Sequence, residues 1–151
     1  MPGFSAETLN SALLSAASRL WSVAGSMRWV SDTGVDVRIE SLSEVTTIGA
    51  AAFTDTAIKF PAASLGLGVA VRVSVAIPTA ATFDVGVSGA TTRYGSGIAT
   101  TVGVATTGSM GTTTPSLYAA ATGVRLTPNA VPASNAGRVR VTIFFLRLVV
   151  V

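Results

Sequence analysis

The sequence predicts a mainly β protein: an antiparallel β-sandwich, jelly-roll-like, preceded by one N-terminal α-helix. Three observations predict it. Apolar residues alternate with small or polar ones over several short runs after residue 34. Gly, Pro, Thr and Ser punctuate those runs, as turns do in all-β domains. Before them lies one stretch whose apolar spacing is helical rather than two-fold.

The helical stretch comes first. Ser5 suits an N-cap and Glu7 sits in the first turn, where the helix dipole favours an anion. Leu9, Leu13, Ala16, Leu20, Val23 and Met27 follow at spacings of four and three, the seam by which helices pack along one another. Gly25 weakens the last turn. Trp21 and Leu14 lie off the seam, so the pattern serves a helix lying on its own domain as well as a short bundle of helices from identical subunits. Residues 1–30 are thus expected as a helical anchor or oligomer stem, and residues 31–151 as the sandwich.

From Arg28 the period changes to two. Val35, Val37 and Ile39 alternate with Asp36, Arg38 and Glu40, a half-buried strand with a polar outer face. Ala57–Phe60 is a shorter strand stopped by Pro61. Val69, Val71, Val73, Val75 and Ile77 form the longest alternation, ending at Pro78. Phe83, Val85 and Val87 share one side of a strand over Thr82–Val87. Ser116–Ala120 and Gly123–Thr127 complete the middle of the chain, the latter closed by Pro128-Asn129. Between Ser88 and Pro115 the Gly/Thr/Ser/Ala-rich sequence predicts long surface loops. In the last strand, Arg138 to Leu148, Val139, Val141 and Ile143 oppose Arg138, Arg140 and Thr142; Phe144, Phe145, Leu146 and Leu148 then make both faces apolar. Such a strand is central or covered by a neighbouring subunit.

Composition narrows function. Hydrophobic residues make up 49% of the 151 and charged residues only 11%, against roughly 25% charged in ordinary soluble domains. So few charges point to surface buried between subunits. Residues 1–84 hold five basic and seven acidic groups, net −2, whereas residues 85–151 hold five arginines and no acid, net +5. The arginines are spread singly along strands, which argues against nucleic acid, since phosphate contacts need cations clustered on one face. Glu7, Asn10 and Arg19 interrupt Ser5–Met27, so no membrane insertion is expected there; a signal peptide would need a basic segment before its apolar core, and the first charge is Glu7.

Catalysis is disfavoured. There is no His and no Cys, and no acid after Asp84, so a Ser nucleophile would have only Lys59 as base. Asp36 and Glu40 belong to the solvated face of one strand, not to a pair facing across a sugar. Neither Gly86–Gly89 nor Tyr94–Gly97 has the lysine or the strand-then-helix context of a phosphate loop. No spaced acidic loop suggests a metal, and no cofactor is expected.

One patch invites a binding reading: Asp84, Arg93 and Tyr94, with Tyr118 and Arg125 on later strands. Aromatic faces combined with planar hydrogen-bonding groups hold sugars, and Arg grips acidic ones. The structural alternative has Tyr94 plugging the domain edge and Arg93 pairing with Asp84.

Phe83-Asp84-Val85-Gly86-Val87-Ser88-Gly89, then Arg93-Tyr94-Gly95-Ser96-Gly97, then Leu117-Tyr118 running on to Val124-Arg125-Leu126-Thr127, and the closing strand Gly137–Leu148, resemble in order and spacing the C-terminal β-sandwich domain of fibre or spike proteins of tailed phages and gene-transfer particles. The resemblance spans residues 68–148. Relatives often carry an acid before the Arg, where this chain has Ala90-Thr91-Thr92, and two adjacent aromatics, where it has Tyr118. The resemblance implies a non-enzymatic virion protein on the particle surface, a homo-oligomer, usually a trimer, in contact with other virion proteins and often with host-surface polysaccharide. The alternative is a capsid-decorating protein that clamps the shell and has no receptor role.

Overall fold

The computed structural model describes residues 19–23, 26–30, 35–106 and 115–150. Every element among them is a strand: β1 (Arg19–Val23), β2 (Ser26–Val30), β3 (Val35–Ile48), β4 (Thr54–Phe60), β5 (Ser64–Val75), β6 (Thr82–Val87), β7 (Ala90–Ala99), β8 (Ala105–Thr106), β9 (Ser116–Tyr118), β10 (Thr122–Pro128) and β11 (Gly137–Val150). Two compact units divide the chain, one of Met1–Glu40 with Leu146–Val151 and one of Ser41–Phe145.

In the first unit the sequence expectation is corrected. The helix expected over residues 5–27 lies partly outside the described residues, as do Leu9, Leu13 and Ala16 of the seam. Leu20, Val23 and Met27, however, stand on β1 and β2, which pair antiparallel from Arg19↔Val30 to Val23↔Ser26. β2 pairs in turn with the start of β3, from Met27↔Ile39 to Val30↔Asp36. The physical reason lies in composition: Trp21, Val23, Trp29 and Val30 are β-formers. The four-three spacing of this segment fits a strand's apolar content as well as a helix's stripe.

The second unit is the expected antiparallel sandwich. One sheet has β3, β11, β5 and β8 in hydrogen-bonded order, with β9 also on β5, and the other has the order β4-β10-β6-β7. Their inner faces share one core. Ile48 from β3, Val69, Val71 and Val73 from β5, and Val139, Val141, Ile143 and Phe145 from β11 are buried. Against them lie Phe60, Phe83, Val85, Val87, Ile98, Val124 and Leu126 of the second sheet. The two-fold alternation of β5, β6 and β11 is therefore the core side, except that Val75 is 40% exposed at the end of β5. β11 lies between β3 and β5, the central position its sequence implied.

The loops expected over residues 88–115 are corrected in their first part, because Ala90–Ala99 is a full edge strand. Only Tyr94 and Ile98 are large and buried there. Two devices hold the strand on β6. Val87 pairs with Ala90 across Ser88-Gly89, and Gly89 takes φ +81° to close that short connection. Farther on, Phe83 pairs with Ile98 and Val85 with Gly95, so Ser96 and Gly97 together oppose Asp84 in a bulge.

Candidate functional site

The five residues of the expected binding patch are divided among different settings. Tyr94 and Tyr118 do come together. They are 5% and 8% exposed, and their hydroxyls share a hydrogen bond. Both rings rest on Phe60: Tyr118 stacks at 4.6 Å between centroids and Tyr94 tilts at 5.7 Å, while Phe145 meets Phe60 edge-on at 6.5 Å. Gly66 of β5 makes room for the cluster, since a Cβ there would come within 2.6 Å of the Tyr118 ring and 3.0 Å of the Tyr94 hydroxyl. Burial, with the Tyr118 hydrogen bond second, pushes the Tyr94 phenol well above its ordinary range. Both rings are thus packed on the core side of the sandwich.

Arg93, beside Tyr94, donates from Nη1 to the hydroxyl of Ser116 on β9. The arginine of the motif thus reaches a strand of the opposite sheet and works alongside the tyrosine pair, which likewise joins β7 to β9. Asp84 is part of the β7 bulge: its Oδ1 accepts from the Ser96 hydroxyl at 2.9 Å and from the Gly97 amide at 2.8 Å. Gly97 has φ +66°, a conformation that an L side chain would strain. The Asp-then-Gly spacing of the motif is therefore the chemistry of a bulge.

Arg125 is half-buried in a polar setting. Its Nε and Nη2 donate to the two carboxylate oxygens of Asp55 at 2.7 and 2.8 Å, a bidentate fork between neighbouring strands β10 and β4. The guanidinium also lies 3.7 Å over the ring centroid of Phe53. The hydrogen bond from Arg125 holds the Asp55 carboxyl below its usual range, and the same bond raises Arg125. Beside this pair is a hollow of about 440 Å³ lined by Asp55, Thr56, Lys59, Ser88, Thr122 and Gly123. Neither Asp55 nor Phe53 was singled out in the sequence. The signal for Asp55 was its two-residue step from Ala57 and Lys59 on the outer side of a short strand.

Chemically, the arrangement offers hydrogen bonds and one fixed ion pair. Among the described residues no three His, Cys, Asp or Glu side chains gather to hold a metal ion, and no helix is long and apolar enough to cross a membrane. Of the carboxylates in this unit, Glu44 accepts from the Ala57 and Ile58 amides at 2.9 and 3.2 Å, covering the edge of β4. Each of the three acids is thus engaged in holding strands together.

Neither a protein-family model nor a curated protein matches the chain. Among solved structures it is similar to a chain of the "Cyanophage Pam1 capsid asymmetric unit", with 25% identity, a TM-score of 0.47, and coverage of 97% of this chain and 99% of that one.

Proposed function

We propose that this chain is a non-enzymatic structural protein of a tailed-phage or gene-transfer particle, a surface homo-oligomer, trimeric, that decorates and stabilises the shell. The resemblance of residues 68–148 to virion sandwich domains supplies the class. The observation that supports decoration over receptor binding is the buried Phe60–Tyr94–Tyr118 cluster. Asp84 engaged at a bulge and Arg93 on Ser116 support the same reading, in which the motif that resembles those of fibre and spike proteins serves the sandwich itself. A glycan-binding role then has a different seat, the polar hollow beside Asp55 and Lys59.

The test compares particles carrying the chain with particles lacking it. Decoration predicts that the chain co-purifies with particles at fixed stoichiometry. Particles without it assemble and attach to host cells normally, but release their genome at lower temperature. Loss of attachment, abolished also by periodate oxidation of the host surface, would replace decoration by glycan binding. Absence from particles would refute both.

A further inference from the structure

The outward face of the sheet formed by β3, β11 and β5 carries a group of exposed arginines. Val71, Val73, Val139, Val141 and Ile143 point into the core, so the intervening Arg72, Arg138 and Arg140 lie on the outer side, and all three are exposed. Ser74 donates from its hydroxyl to the Arg138 carbonyl at 3.1 Å, and the Cβ position of Gly137 lies 2.9 Å from Ile77. β5 and β11 are neighbours in the sheet, so Arg72 shares this face with Arg138 and Arg140.

Like charges gathered on one sheet face repel unless something neutralises them. Within this unit nothing described on that face does so. Ala105 of β8 pairs with Arg72. From β3, Ser43 receives a hydrogen bond from Thr142 at 3.0 Å, and Val45 and Thr47 are exposed. The unit's carboxylates, Glu44, Asp55 and Asp84, are engaged at the edge of β4, with Arg125 and at the β7 bulge. Arginines gathered on one face, with no carboxylate among the described residues of this unit to neutralise them, repel one another at a cost to stability that an external partner removes.

The face also carries Phe144, 38% exposed, and Val45, 48% exposed. Arginine and exposed aromatics are enriched in protein–protein interfaces, whereas phosphate backbones call for many clustered cations. We propose that this face docks a carboxylate-rich surface of a neighbouring protein, with Arg72, Arg138 and Arg140 as its charged anchors. The inference rests on the particle reading only for where that neighbour is found; its chemistry is read from the face itself.

The experiment uses the purified full chain and immobilised poly-L-glutamate, heparin and double-stranded DNA as probes. It compares the wild type with Arg72→Ser/Arg140→Ser and with a charge-matched control, Lys59→Ser/Arg147→Ser. The expected result is salt-sensitive retention on poly-glutamate, weakened about tenfold in the Arg72/Arg140 variant and little changed in the control. The same variant keeps or raises its melting temperature, because a repulsion has been removed. Equal loss in both variants, or no retention on poly-glutamate, overturns the proposal. Retention on heparin or DNA alone replaces it by polyanion binding. A lowered melting temperature in the Arg72/Arg140 variant would show that the arginines serve the fold. Because the readout needs no particles, its failure and that of the decoration reading are separable.

Discussion

Tyr94 shows how one residue changes meaning between sequence and structure. Adjacent to Arg93 and followed by Gly95-Ser96-Gly97, it reads as an exposed ligand contact on a small-residue loop. In the fold it is a core residue, because β6 supplies a partner for the whole segment and Phe60 supplies the surface to bury its ring. Its ionisation tests this directly. A phenol whose folded value is raised stabilises the protein fully below the unfolded value, about 10, and loses that contribution as pH climbs above it. The chain has two tyrosines, so in Tyr118→Phe the remaining tyrosinate absorbance belongs to Tyr94. That variant removes the hydrogen bond but keeps burial, the larger cause. The expected outcome is no tyrosinate signal until the circular dichroism of the sandwich collapses at alkaline pH. Titration near pH 10 in a still-folded protein would show that the ring is open to solvent.

At the scale of elements, legibility follows how much of a strand's order is carried by its own side chains. β5, β6 and β11 are legible because large residues stand at alternate positions and meet the core there. β7 is not, since its placement depends on Gly89, Gly97 and the Asp84 carboxylate, all of them features of pairing rather than of pattern. The part of β3 beyond Glu40 is similar: Ser41, Ser43, Glu44 and Thr47 hide a strand that runs on to Ile48. A third such device joins β4 to β10, whose register shifts between Gly123 and Arg125. There the buried Thr56 hydroxyl donates to the Ile58 carbonyl at 2.7 Å and accepts from the Val124 amide at 3.0 Å. Thr56→Val keeps the shape and strands both backbone groups, which costs about 1–3 kcal/mol. The melting temperature should fall by several degrees, while Thr56→Ser, which keeps the hydroxyl, should lose less. Equal melting of Thr56→Val and wild type would mean that the hydroxyl does not close the shifted ladder.

Over the whole molecule, the low charge and the exposed apolar residues belong together. Leu42, Val45, Val102, Leu117, Val131 and Phe144 are each at least 38% exposed, on a chain with 11% charged residues. Of the charges described in the second unit, Asp55 and Arg125 neutralise each other and Asp84 and Glu44 are engaged by backbone amides. Solubility then rests on few groups, and covering apolar surface by self-association is the physical alternative to precipitation. Sequence composition made that need legible but not the surface that meets it, since alternation marks the buried side of a strand and leaves its outer side unassigned. The homo-oligomer reading predicts a solution mass that is an integer multiple of the chain, a threefold multiple for the trimer, measured by light scattering on a sizing column. Because assembly stabilises only the folded state, the melting temperature should also rise with protein concentration. A monodisperse monomer with a concentration-independent melting temperature would remove self-association from the account. The apolar residues would then have to be covered by a different protein, and the arginine face of β5 and β11 would be the first place to look for it.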